Sequence, residues 1–89
     1  MKIAWFSPFS VKSAIGRYSQ SITNELGKTF ALDIFPSEKE NLLYTPWRLV
    51  HYSSSYNLES LLAPYDLVVY NMGILYRRGH LYQHGRWRN

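Results

Sequence analysis

No cysteine occurs among the 89 residues, which excludes a disulfide framework and a thiolate metal site. Thiol-free chains suit a reducing cytoplasm, and the expected compartment is cytoplasmic. No apolar run approaches the roughly 18–20 residues that span a bilayer. The opening Met1–Phe6 is apolar, but Pro8, Ser10 and Lys12 interrupt it before the roughly 7–15-residue core of a signal peptide forms. Neither a G-x-G-x-x-G fingerprint nor a P-loop lysine pattern is present. Internal repeats, low-complexity tracts and Ser/His/Asp or Cys/His catalytic arrangements are also missing. Acidic residues number six, and none follows Asp66.

That last absence locates the charge. Six basic residues in 1–76 (Lys2, Lys12, Arg17, Lys28, Lys39, Arg48) balance the six acids. The net +4 therefore belongs to Arg77, Arg78, Arg86 and Arg88. A neutral body with a basic end is no designed cationic face, so no specific nucleic-acid partner is expected. With 46% hydrophobic and 17% aromatic residues, the composition is that of a folded chain. At this length it is one small domain or a piece of a larger one.

Ile3-Ala4-Trp5-Phe6 is continuously apolar, as suits a strand buried on both faces, and Pro8 ends it. After the polar loop from Ser7 to Ser13 the spacing predicts a helix. Ser13 is its N-cap, Ile15, Tyr18, Ile22 and Leu26 form its inward stripe, and Gly27 is its left-handed stop. Phe30–Phe35 reads as a second strand ended by Pro36, which completes a βαβ unit. Trp47–Tyr52 reads as a strand or a buried turn. Tyr56–Ala63 reads as a short helix with Leu58, Leu61 and Leu62 inward, and Asp66–Asn71 as a third clear strand closed by Gly73. The alternation predicts an α/β layered sheet with too few helices to cover both faces, the first half of something larger.

Ligands of open α/β sheets bind outside the carboxyl ends of the strands. Two segments are expected there: Ser13, Ala14, Ile15 and Gly16 at the helix start, and Asn71, Met72 and Gly73 after the third clear strand. The helix N-terminus suits a phosphate. Gly16 has two readings, close approach of a ligand or tight helix–sheet packing.

Taken together, residues 1–8, Lys12–Ser19, Leu32–Phe35 and Tyr65–Gly73 resemble the start of family 4 glycosyltransferases, the GT-B enzymes built of two facing Rossmann-like domains. The resemblance spans residues 1–73. It implies an incomplete Rossmann-like parallel sheet with flanking helices, the first half of a GT-B N-terminal domain. It also implies transfer of a hexosyl group from a nucleotide sugar to a glycan or other acceptor in polysaccharide assembly, in a cytosolic or peripheral-membrane enzyme. Ser13–Gly16 would border the cleft near the donor phosphates or the acceptor. Many family members carry a second glycine where this chain has Ala14. The paired glutamates of the missing C-terminal domain have no counterpart here, so the chain is expected to hold no catalytic residue of its own, and no cofactor is implied.

The resemblance ends at Gly73. Residues 74–89 read as a basic aromatic tail, the product of a frameshift or a genuine solvated end. His80 and His84 have the spacing of helical metal ligands, but Gly79 and Gly85 bracket them and no carboxylate is near, so no metal site is expected. The arginines with Tyr76, Tyr82 and Trp87 could follow a nucleic-acid backbone. On that view the alternative function is a non-enzymatic α/β binding module whose tail contacts nucleic acid, anionic lipid or a partner protein.

Overall fold

Strand β1 (Lys2–Ser7) lies inside a parallel sheet, and this explains its unbroken apolarity. The structure is a computed structural model that describes residues 1–53, 57–70, 74–77, 80–83 and 86–88. On one side β1 pairs in parallel with β2 (Ala31–Pro36), and β2 in turn with the two-residue β3 (Arg48–Leu49). On its other side it pairs in parallel with β4 (Leu67–Tyr70). The legible strands thus stand where the sequence places them. The ambiguous stretch 47–52 contributes only the short outer strand.

Alternate residues of β1 and β2 feed two separate cores. Ile3, Leu32 and Ile34 join Phe9 and Leu43 on one face, against Leu26 and Trp47. Ala4, Phe6 and Phe35 join Tyr65 and Val68 on the other, against Leu61 and Leu62. Leu26 belongs to α1 (Ala14–Leu26), while Leu61 and Leu62 belong to α2 (Leu58–Leu62). The two helices therefore cover opposite faces of an α/β sheet. Asn57 caps α2 by accepting from the N–H groups of Glu59 and Ser60. Tyr56 and the side chain of Leu58 lie outside the described residues.

Helix α1 starts as expected and packs differently. Ser13 caps it, its Oγ accepting from Gly16 N–H at 3.0 Å. The buried face is Gly16, Ser19 and Thr23, whereas Ile15 is 49% and Tyr18 62% exposed. Of the expected apolar stripe, Ile15 and Tyr18 are rotated away from the sheet, while Leu26 still packs against the core. Two hydroxyls explain the rotation. Ser19 reaches Trp5 and Ser7 in β1, and Thr23 Oγ1 donates to Ser19 O at 2.8 Å. Small side chains bring the helix close, and their hydroxyls are satisfied there.

Gly27 also departs from expectation. Its φ of −67° is right-handed, so no left-handed stop is needed. A Cβ at Gly27 would lie 2.2 Å from Cε2 of Trp47, so the glycine makes room for the indole.

Beyond β4 the sheet changes sense. Strands β5 (Ile74–Arg77), β6 (His80–Gln83) and β7 (Arg86–Arg88) continue it as an antiparallel meander, giving the order β3-β2-β1-β4-β5-β6-β7. The described part of 74–89 thus pairs as sheet. His80 is in a strand, which removes the helical premise for pairing it with His84, a residue outside the described set. Among the described residues no helix is long and apolar enough to cross a membrane.

Candidate functional site at the carboxyl edge

The chain lays down β1, β2 and β3 in one direction and then returns to place β4 on the far side of β1. This reversal lies between β1 and β4, and such switch points are where open α/β sheets hold ligands. The loop leaving β1 at this point is firmly built. Phe9 N–H donates to Oε1 of Glu38 at 2.7 Å, and Leu43 N–H to Phe9 O at 2.9 Å. Val11 N–H donates to Asn41 O at 2.8 Å, and Asn41 turns the facing loop with a φ of 57°.

Of the expected site residues, Ser13, Ala14, Ile15 and Gly16 do form the first turn of α1 at this edge. The Gly16 N–H is taken by Ser13, while helix geometry leaves those of Ala14 and Ile15 without intrahelical partners. A Cβ at Gly16 would lie 3.0 Å from Ser10 O and 3.2 Å from Phe9 Cα and Pro8 O. The close approach that the structure shows at Gly16 is by the backbone of its own loop. Asn71, Met72 and Gly73 lie outside the described residues.

Behind the loop runs a chain of hydrogen bonds. Ser7 Oγ donates to Pro8 O at 2.8 Å, which uses its only proton. Ser19 Oγ shares a hydrogen bond of 2.6 Å with Ser7 Oγ, and it accepts from Trp5 Nε1 at 3.2 Å. The relay joins the sheet, the helix and the first residue of the loop.

On the opposite face of the same edge is a group of aromatic rings. Phe35, Phe6 and Tyr70 stack across β2, β1 and β4, with centroid separations of 4.4 and 4.7 Å. Tyr52, just past β3, meets Phe6 edge-on at 5.3 Å. Burial holds the Tyr70 phenol above its ordinary pKa, and the neighbouring Tyr52 adds to the effect. In the sequence Phe6, Phe35 and Tyr70 read only as strand residues, and Tyr52 falls in the ambiguous stretch 47–52. The signal was present: each of these three strands places an aromatic residue at or next to its carboxyl end.

The other polar cluster lies toward the amino ends. Oδ2 of buried Asp33 accepts from Tyr65 OH at 2.5 Å and from Arg48 at 3.2 Å, with Lys2 Nζ at 3.8 Å. Burial, then the bond to Asp33, raises the Tyr65 pKa. The Arg48 pKa is raised by its hydrogen bond to Tyr65 and by the charge of Asp33. Every partner of this carboxylate is a donor held by the sheet or its flanks, so the cluster secures β1, β2, β3 and the approach to β4. It stands away from the carboxyl edge.

No protein-family model, curated protein or solved structure matches the chain. The functional reading therefore stands on the residues and their placement.

Proposed function

We propose that this chain is the opening half of the N-terminal domain of a nucleotide-sugar-dependent glycosyltransferase of the GT-B kind. Its parent transfers a hexosyl group to a glycan or other acceptor. The observation that supports the reading is the strand order β3-β2-β1-β4 with helices on opposite faces, which is compatible with part of a Rossmann-like sheet and has its switch point beside Ser13–Gly16. Donor chemistry belongs to a second domain that closes over the edge and excludes water. The chain alone thus binds without turning over.

Sequencing the gene beyond codon 73 in all frames tests this. A frame that continues with a helix, further strands and a second domain carrying paired glutamates is the expected result. Absence of such a frame, or acceptor-dependent sugar transfer by the purified 89-residue chain, would overturn it.

One observation favours a second reading. The segment after β4 continues the sheet as β5–β7, where a GT-B chain would cross to another helix. A self-contained binding module with a basic antiparallel end fits that course, and its binding would disappear on removal of residues 74–89.

A further inference from the structure

We infer that Tyr52 and Tyr70 form a platform for an uncharged saccharide ring at the carboxyl edge. The inference names the acceptor class of the proposed transferase and takes its biological use from that reading. The binding itself is argued from the rings.

Both tyrosines are partly buried and pack on the same core, yet neither is sealed in it. Phe6 supports both, stacked on Tyr70 and edge-on to Tyr52. The phenols are close enough for the charge of one to affect the other. No described residue hydrogen-bonds either hydroxyl, in contrast to Tyr65, whose hydroxyl is held by Asp33. Two partly buried amphipathic rings thus sit on an aromatic base, and among the described residues nothing occupies their hydroxyls. Tyrosine gives such contact area at low entropic cost, because few torsions need freezing.

A sugar ring has the matching chemistry, with an apolar C–H face and a rim of hydroxyls. Charge decides against a phosphate-bearing ligand at this spot. Residues 49–53 and 67–70 contain no Lys, Arg, Asp or Glu, and within these two segments the titratable side chains are His51, Tyr52 and Tyr70. The platform lies on the face opposite α1, so it does not compete for the helix N-terminus.

The test uses the full 89-residue chain with maltotriose, cellobiose and chitobiose as probes and uridine as a planar competitor. Tyrosine-ring NMR signals and saturation transfer to sugar C–H protons are measured. Millimolar binding is expected by at least one saccharide, with shifts at both rings. Tyr52→Phe and Tyr70→Phe keep the stack and each remove one hydroxyl. Each is expected to weaken binding about three- to tenfold. Tyr52→Ala removes a ring and should abolish binding. No ring shift with any saccharide would overturn the inference, as would unchanged affinity in both Phe variants or a response to uridine alone. Saccharide binding without a downstream transferase frame would retain the platform and remove the transferase reading.

Discussion

Gly27 shows how a residue can be recognised for the right place and the wrong reason. A glycine at a helix end ordinarily signals a left-handed turn, yet here the backbone is right-handed and any residue could adopt it. The constraint comes from twenty positions downstream, where Trp47 lays its ring over the glycine. Trp47 Nε1 is buried without a hydrogen-bond partner among the described residues, so the indole stays there for its packing. Gly27→Ala is expected to destabilise the chain by about 1–3 kcal/mol through overpacking. In a Trp47→Ala background the same change should stabilise by about 0.4–1 kcal/mol, since the clash is gone and the unfolded chain is stiffer. Urea unfolding of the four proteins checks this, and equal effects in both backgrounds would remove Trp47 as the cause.

At the scale of the element, α1 separates what periodicity reveals from what it conceals. Ser13 and the helix span were readable because capping and period are local. The buried face was not, because Ile15, Tyr18, Ile22 and Leu26 form the most apolar stripe while Gly16, Ser19 and Thr23 form the smallest. Close approach to β1 and the hydroxyl relay select the smaller face, and those interactions depend on residues in another element. Strands β1, β2 and β4 were legible for the complementary reason. Burial on both faces leaves a continuous apolar run, and Pro8 and Pro36 mark two of the ends. Strand β3 offers only two residues of pairing, too few for any period. The aromatic stack was hidden because register, a non-local property, brings Phe35, Phe6 and Tyr70 into one row. Substitution distinguishes the two faces of α1. Tyr18→Ser should change stability by no more than about 0.5 kcal/mol. Ser19→Leu should cost about 1–3 kcal/mol from overpacking, with further loss from breaking the link to Trp5. Thermal unfolding that ranked Tyr18→Ser as the worse of the two would restore the apolar stripe as the buried face.

For the whole molecule the informative feature is the change from parallel to antiparallel pairing at β4. The described strands of the basic end supply the pairing partner of β4 through Leu67–Arg77 to Tyr70–Ile74. Removing residues 74–89 would leave a row of unpaired backbone groups on an apolar strand, a template for edge-to-edge association. In the full chain the outer strand is β7, which carries Arg86 and Arg88, and charged residues on an edge oppose such pairing. Sedimentation is expected to show the 1–73 chain as dimers or larger species under conditions where the 89-residue chain stays monomeric. A monomeric, equally stable 1–73 chain would show that β5–β7 contribute nothing to the body.

The relay from Trp5 through Ser19 and Ser7 to the Pro8 carbonyl has a practical consequence. An indole whose N–H is held in this way emits according to the polarity and order around it. Trp5 is buried, and its hydrogen-bond chain ends at the residue where the edge loop begins. Loop displacement that pulls Pro8 away alters the last link, and each hydroxyl passes the change inward. With Trp47 and Trp87 replaced by phenylalanine, Trp5 becomes an intrinsic fluorophore for the edge loop, so a displacement of that loop can be followed by light without attaching a dye.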